Sequence, residues 1–320
     1  MHISFAPLEG ITTYTYRNVH SRFFDGADIY YAPFIAPDGS GKFKDSALRD
    51  ILPENNRGIP LVPQILCNKA EAFLAVAEKL AALGYNEVNL NAGCASGTVV
   101  PKHKGAGMLI DLDSLDSFLE EVFSKCPIKV SVKTRMGVES TDEFPAILDI
   151  YNKYPLSQLI IHARDKAGKY SSRPDTQMFV DCFPKSRALT VYNGDIFSRS
   201  HLDAMMEKLP KLDHIMLGRG AIANPALPRQ LKGGPALTPE ELKNFHDELM
   251  NEYLSSGLGE FFTMGRLKEI WFYSSHMFPE SAKAMKRILK SRDISEYRSA
   301  VSQLFACEKL DENSYFTALR

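Results

Sequence analysis

The sequence predicts an α/β protein: a (β/α)8 barrel followed by a small all-helical C-terminal domain. Eight short apolar runs alternate with helical patterns up to about residue 220, which is the element count of such a barrel. Several runs are continuously apolar, as in VNL, VSV, LII and HIML, which is typical of parallel strands covered on both faces. The alternative is a doubly wound sheet, but no GxGxxG motif follows an early strand.

The eight predicted strands are short and are separated by turn residues or helical patterns. They are His2–Pro7, Asp28–Phe34, Leu61–Leu66, Glu87–Asn91, Ile128–Thr134, Gln158–His162, Ala188–Asn193 and His214–Gly218.

Between the strands, four stretches carry apolar residues at helical spacing. Asn68 and Glu71 resemble a capping box that opens a helix to about Leu83, and Gly84 can end it. The other three helices are predicted over Asp113–Lys125, Asp142–Tyr151 and Ser198–Lys208.

A turn-rich link, Lys232–Leu237, separates a predicted barrel domain over residues 1–232 from a helical domain over residues 238–320. Thr238, Pro239 and Glu241 have the arrangement of a capping box with proline at the first helical position. From there to the end of the sequence no strand pattern is found. One helical face and an aromatic run are expected to form the core of this domain: Leu242, Phe245, Leu249 and Tyr253, with Trp271, Phe272 and Tyr273.

The composition excludes several classes of protein. Of 320 residues, 44% are hydrophobic and 24% are charged, which is not the composition of a disordered chain. The formal net charge of -1 leaves no global basic field, so an RNA partner would need a local basic patch. No apolar run reaches the roughly 18 residues of a membrane helix, and the first residues do not resemble a secretory signal, so no membrane partner is expected.

Five widely spaced cysteines argue against a disulfide framework and against zinc ligation of the CxxC type. The simplest interpretation is a protein of the reducing cytoplasm without a metal site.

Polar residues follow six successive predicted strands at the point where each strand ends. The carboxyl ends of the strands meet at one rim of a (β/α)8 barrel, where the active site of such proteins lies. The sequence therefore predicts one site at this rim, formed from Gln64, Asn91, Cys94, Lys133, Arg135, His162, Arg164, Asn193, Gly194, Asp195, Gly218 and Arg219.

The last two strand ends predict a phosphate site. Gly194 and Gly218 allow backbone N–H groups to approach a ligand, and Arg219 adds a positive charge. Loops after the seventh and eighth strands are a frequent phosphate site in these barrels. A phosphorylated cofactor or substrate is favoured over two ordinary tight turns.

Cys94 lies directly after the fourth strand and before a loop rich in glycine and lysine, residues 101–107. A thiol on a mobile loop is placed to act as an acid or as a nucleophile.

Together these residues resemble the tRNA-dihydrouridine synthase family, over about residues 4–292. The opening segment, which contains Pro7, Leu8 and Glu9, resembles the flavin-contacting start of that family, and Asn91-Ala92-Gly93-Cys94 resembles its active-site motif. Similar segments surround Gln64, Lys133, Arg135, His162 and Arg164; Tyr170 and Arg173 keep the family's offsets from His162; and two flavin phosphate loops are matched around Asn193, Gly194, Asp195, Gly218 and Arg219. The family usually has proline where Ala95 follows the cysteine.

The resemblance implies an FMN-dependent reduction of a uridine in RNA to 5,6-dihydrouridine, with NADPH as the reductant. Hydride would pass from N5 of reduced FMN to uracil C6, and Cys94 would protonate C5. Pro7, Leu8, Glu9, Gln64, Lys133, His162 and the two phosphate loops would then hold FMN.

The substrate would contact Asn91, Arg135, Arg164, Tyr170 and Arg173. Lys286 and Lys290, on the basic face of a predicted helix within Lys283–Arg292, would bind RNA phosphates. A solvated helix face without RNA contacts is the alternative for this run.

Transfer RNA is favoured as the substrate over ribosomal RNA. A second alternative is another flavin-dependent barrel reductase acting on a small pyrimidine-like molecule. A third is a non-catalytic RNA-binding barrel, which the presence of Cys94, Lys133 and His162 together argues against.

Overall fold

The computed structural model describes residues 1–168, 171–311 and 314–317. Within these residues, nine parallel strand segments form a nearly closed barrel. The segments are β1 His2–Phe5, β2 Ile29–Tyr31, β3 Leu61–Val62, β4 Gln64–Ile65, β5 Glu87–Ala92, β6 Lys129–Gly137, β7 Gln158–Asp165, β8 Leu189–Asn193 and β9 His214–Leu217.

Helices surround the barrel and continue beyond it. They are α1 Tyr14–Phe23, α2 Asp45–Ile51, α3 Ala70–Ala82, α4 Leu112–Lys125, α5 Phe144–Tyr151, α6 Thr176–Cys182, α7 Arg199–Lys208, α8 Arg219–Ala223, α9 Leu227–Leu231, α10 Pro239–Ser255, α11 Glu260–Ser274, α12 Ala282–Lys290 and α13 Ile294–Cys307. The predicted barrel followed by helices is therefore confirmed.

The third predicted strand is divided by Pro63 into β3 and β4. Proline has no N–H to give to a ladder, so the strand cannot pair continuously through this residue. β3 pairs with β2 and β4 pairs with β5, so the two halves of the interrupted strand bring the two edges of the sheet together. The single unbroken strand Leu61–Leu66 was wrong in this respect.

Parallel strands deliver an apolar layer to the interior of the barrel. Six buried side chains pack there, five from different strand segments and one directly after β1: Tyr31, Val62, Ile160, Val191, Met216 and Ala6. Because the layer fills the barrel, the polar residues at the carboxyl ends of the strands lie above a packed floor.

The predicted helix caps are present at the start of α10 and at the end of α3, but not at the start of α3. The capping box of Thr238 and Glu241 is present at α10, and Gly84 follows α3 with a φ of +90°. The cap predicted for Asn68 is wrong, because its side-chain amide donates instead to the Lys102 carbonyl oxygen at 3.1 Å.

The C-terminal helices pack on the barrel through one continuous hydrophobic core. The Phe245 ring of α10 contacts Tyr16 of α1 and Phe24, with centroid separations of 5.8 and 5.2 Å. Ser274 of α11 donates to the Ile222 carbonyl oxygen of α8 at 3.1 Å. α11 therefore lies against the same end of the barrel as the polar strand ends.

Among the described residues, no helix combines the length and the apolar character needed to cross a membrane.

Candidate active site

A cavity of about 400 Å³ opens at the carboxyl ends of the strands. Nine of the residues predicted for the site line it: Pro7, Leu8, Glu9, Gln64, Asn91, Cys94, Lys133, Arg135 and His162. A smaller pocket of about 60 Å³ is lined by Asn193, Gly194, Asp195, Gly218 and Arg219. Pro7, Leu8, Lys133 and His162 line both, so the two spaces are continuous and the predicted strand ends converge.

A chain of amides joins the floor of the cavity to the cysteine loop. Gln64 donates to Asn89 Oδ1 at 2.7 Å and accepts from Asn91 Nδ2 at 2.8 Å. Asn91 Oδ1 in turn accepts from the backbone N–H groups of Gly93 and Cys94, at 3.1 and 2.9 Å. Asn91 therefore orients the turn that carries Cys94, in addition to lining the cavity.

The loop after Cys94 is folded closely onto the cysteine backbone. Ala106 N donates to the Cys94 carbonyl oxygen at 3.0 Å. Gly105 has a φ of +58°, and a Cβ there would lie 2.7 Å from that same oxygen and 2.9 Å from Cys94 Cβ. Only glycine fits both the conformation and the space, so the glycine-rich sequence supports the position of the thiol.

Arg135 fastens the same turn from the neighbouring strand. Its Nε donates to the Gly93 carbonyl oxygen at 2.9 Å, and one terminal N–H donates to the Asp165 carbonyl oxygen at 2.7 Å. The side chain is almost completely buried, so its charge contributes to the potential inside the cavity.

Lys133 is half-buried in the cavity wall between β5 and β7. Burial, with a smaller contribution from the nearby Arg135 cation, lowers the pKa of Lys133 to about 7. A negative group bound beside Lys133 would raise this pKa and so favour the charged form of the lysine.

We expect the flavin-free wild-type protein to gain stability relative to Lys133→Met as the pH rises from 7 to about 9.5. Between the folded pKa of about 7 and the ordinary lysine value, the unfolded chain binds more protons than the folded chain, so raising the pH favours folding. The slope for one proton is at most about 1.4 kcal/mol per pH unit. Denaturant unfolding at several pH values measures it, with the exposed Lys211→Met as the control. A difference that stays constant across this range would contradict the prediction.

A buried ion network lies behind His162. Arg164 donates to the Ser172 carbonyl oxygen at 2.9 Å, contacts His162 Nε2 at 3.2 Å, and forms an ion pair with Asp195. Arg219 pairs with the other oxygen of Asp195 at 2.8 Å. Arginine is always a donor, so His162 Nε2 accepts and the ring proton resides on Nδ1.

The pKa of His162 is well below its ordinary value. Burial is the main cause, and the cations Lys133, Arg135, Arg164 and Arg219 add to it. The ring is therefore neutral in the site.

Four predicted substrate residues lie outside both pockets. Arg173 lines a separate groove beside the smaller pocket. Lys286 and Lys290 lie on the exposed face of α12, where Ala284, Met285 and Ile288 form the buried face. Arg164 is 1% exposed and lines neither pocket, so its contacts are those of a supporting residue. Tyr170 lies outside the described residues.

The helical region also contributes to the cavity, which the sequence did not predict. Glu269 and Tyr273 of α11 line it. Within the run expected to be core, Trp271 is buried, but Phe272 is 62% exposed and Tyr273 faces the cavity. The sequence of α11 alone does not show that Glu269 and Tyr273 line the cavity, because the docking of the helix on the barrel decides which of its faces meets the site.

The family model described as dihydrouridine synthase matches residues 4–310. The chain is therefore an oxidoreductase built on a (β/α)8 barrel. It belongs to the dihydrouridine synthase family.

Curated relatives cover most of the chain at low identity. A probable tRNA-dihydrouridine synthase of Staphylococcus aureus (strain Mu50) is 25% identical over 322 residues, covering 96% of this chain and 94% of its own. A probable tRNA-dihydrouridine synthase 2 of Bacillus subtilis (strain 168) is 30% identical over 261 residues, 78% of each chain. A tRNA-dihydrouridine(16) synthase of Vibrio vulnificus is 24% identical over 314 residues, covering 95% of this chain and 96% of its own.

Solved structures agree in fold. Morphinone reductase matches with a TM-score of 0.54 at 12% identity, over 74% of this chain and 87% of its own. An old yellow enzyme homologue from Zymomonas mobilis matches with a TM-score of 0.50 at 13% identity, over 74% and 90%. Both likenesses cover about three quarters of this chain.

Proposed function

We propose that the protein reduces a uridine of transfer RNA to 5,6-dihydrouridine, with FMN as its cofactor and NADPH as the reductant. The observation that carries the proposal is that the Cys94 thiol and the Lys133 cation line one cavity, which continues into a pocket walled by Gly194, Gly218 and Arg219. Family membership and the names of the relatives support the choice of substrate.

The donor set of the two pockets fits FMN. Asn193, Gly194, Asp195, Gly218 and Arg219 would hold its phosphate, and Pro7, Leu8, Glu9, Gln64, Lys133 and His162 would surround its ring. When bound, reduced FMN supplies a hydride from N5 to uracil C6, and NADPH renews the reduced state.

Lys133 suits the anionic edge that such a ring presents when reduced. Burial lowers the pKa of Lys133 to about 7, and a positive charge at this position would stabilise negative charge that develops on the ring. Gln64 adds one further N–H and one lone pair beyond the bonds to Asn89 and Asn91.

Cys94 is proposed to donate its Sγ proton to uracil C5. Addition of hydride at C6 leaves an electron pair at C5, which the thiol proton neutralises. Asn91 and Arg135 hold the turn that carries Cys94, and both line the cavity, so they are also proposed to contact the uracil edge. Arg164 was expected to contact the substrate; because it lines neither pocket, it is proposed to act indirectly, by holding His162 beside the flavin in its Nδ1–H form.

The helical region over residues 238–320 is proposed to bind the RNA. The exposed basic face of α12 offers Lys286 and Lys290 to phosphates, while Arg173 offers a cation beside the smaller pocket. Tyr170, which lies outside the described residues, remains a proposed substrate contact from the resemblance alone.

The test is to load the purified protein with FMN and to incubate it with NADPH and unmodified tRNA transcripts. We expect a flavin absorption band after reconstitution, and a uridine in the RNA that gains two mass units on nuclease digestion and mass spectrometry. Absence of flavin uptake would exclude the cofactor. Reduction of ribosomal RNA alone, or of free uracil alone, would replace the proposed substrate with one of the alternatives.

A further inference from the structure

A second cavity, of about 500 Å³, lies on the outer side of the barrel beside the smaller pocket. We call it the outer groove. Its walls are formed by α7, by the segment that begins at Arg173, and by the C-terminal residues 315–317. The volume is within the range of sites that hold small organic ligands.

The outer groove has an aromatic wall. The rings of His201 and Tyr315 meet edge to face with centroids 4.8 Å apart, and the rings of Phe197 and Phe316 lie 5.7 Å apart. Tyr315 is 44% exposed, so part of its ring is open to a ligand. Exposed aromatic rings in a groove are the usual platforms on which nucleobases of single strands stack.

Two cations stand at the groove. Arg173 and Lys208 are exposed, and Lys208 Nζ donates to Thr176 Oγ1 at 3.0 Å. Asp195, the acidic side chain among the described lining residues, is already paired with Arg164 and Arg219. The charges that a ligand meets are therefore positive, which suits a phosphate.

The outer groove is continuous with the proposed active site. Asp195 and Phe197 line both the groove and the smaller pocket. On the other side, the Phe316 ring lies 5.4 Å from that of Tyr273, which lines the cavity that contains Cys94 and Lys133. Because the smaller pocket is assigned to the FMN phosphate, an RNA strand would enter the groove on the side where Phe316 contacts Tyr273.

Part of this wall lies beyond the region that the family model matches. The match ends at residue 310, whereas Tyr315 and Phe316 come later in the chain. Two contacts hold the segment in place: Asp311 N donates to the Met277 carbonyl oxygen at 2.8 Å, and Ser314 Oγ donates to the His276 carbonyl oxygen at 2.8 Å.

We propose that the outer groove binds a nucleotide of the RNA strand adjacent to the uridine that is reduced, with its base on Tyr315 and its phosphate near Arg173 and Lys208. The inference rests on the proposed function, since it requires an RNA substrate. It assigns a role in substrate binding to the C-terminal segment.

The test uses the FMN-loaded full chain with unmodified tRNA transcripts, and compares Tyr315→Ala and Lys208→Gln with wild type. Tyr315→Ala should weaken tRNA binding about tenfold, within the range of a lost base–aromatic stack. Lys208→Gln should lower the log–log salt slope of binding by about 0.7 to 0.9. Both should raise KM for tRNA while leaving kcat, flavin content and KM for NADPH unchanged.

Phe261→Ala and Lys211→Gln are matched controls, because Phe261 is 89% exposed, Lys211 is exposed, and neither lines the groove. Unchanged tRNA affinity in Tyr315→Ala and Lys208→Gln would overturn the inference. A rise in KM for NADPH alone would also overturn it and assign the groove to the dinucleotide. Binding is measured separately from turnover, so a wild-type protein that binds tRNA but yields no dihydrouridine would refute the proposed function and leave the groove assay valid.

Discussion

Cys94→Ala should slow the transfer of reducing equivalents to RNA by roughly 10²–10⁴-fold, which is the usual contribution of a positioned general acid. The fold and flavin content should be retained, because the half-exposed side chain lies on a turn whose backbone is held by the side chains of Asn91 and Arg135 and by the backbone N–H of Ala106. Reduction of the flavin by NADPH should proceed normally, since that half-reaction needs no proton at uracil C5. Single-turnover oxidation of the prereduced protein by substrate RNA measures the effect.

The controls separate the acid from the other thiols. Cys94→Ser should fail similarly, because an alcohol is a much weaker acid than a thiol. Cys307→Ala, at an exposed position on α13, should react like wild type, and so should Cys67→Ala, although loss of a buried thiol can cost stability. If Cys94→Ala reoxidises at the wild-type rate and yields dihydrouridine, Cys94 is not the acid, and His103 and Lys104 on the same loop become the candidates.

Asp50→Ala should lower the free energy of unfolding by about 3–5 kcal/mol, the cost of leaving a buried charge without its partner. Arg17 is completely buried and pairs with Asp50 Oδ2 at 3.1 Å, while Asp50 Oδ1 accepts from Tyr14 N at 2.6 Å. The same guanidinium donates to the Thr12 carbonyl oxygen at 2.7 Å. Denaturant unfolding of the two proteins at one pH measures the difference.

Asp50→Ala should also weaken cofactor binding. Thr12 Oγ1 accepts from Leu8 N at 2.8 Å, so Arg17 and Asp50 support the opening segment that lines both pockets. We expect weaker FMN binding as well as lower stability. Asp203→Ala, which removes an exposed pair with Arg199 on α7, is the matched control and should change neither quantity measurably. If Asp50→Ala and Asp203→Ala have equal effects, the loss of the Asp50 partner of Arg17 costs neither stability nor FMN affinity, and the prediction is wrong.

The contacts of Arg17 could not be predicted from the resemblance. Arg17 follows the opening segment in the sequence, yet its guanidinium is bonded to Asp50, Asn56 and Thr12 and lines neither pocket. The opening segment lines both pockets, but two partners of this buried arginine, Asp50 and Asn56, lie more than thirty positions away in the sequence. Such partners are decided only when α2 and the turn after it pack on α1.

The sequence by itself determined the barrel and the rim. Continuously apolar runs that alternate with helical patterns are typical of parallel strands covered by helices, and parallel strands bring their carboxyl ends to one edge. For that reason Gln64, Asn91, Cys94, Lys133 and His162 could be assigned to one site before any distance was known, and they line one cavity. The division of the third strand at Pro63 was missed, although proline cannot donate to a ladder.

Only the tertiary structure decided what stands opposite that rim and which polar groups face each other. Tyr273 reaches the cavity and Trp271 does not, because the docking of α11 on α8 sets which side of the helix meets the barrel. Arg164 pairs with Asp195 and contacts His162, although the family resemblance implied a substrate contact for it. Local pattern reports which face of an element is apolar, whereas the partner of a polar side chain depends on long-range packing that no short stretch of sequence encodes.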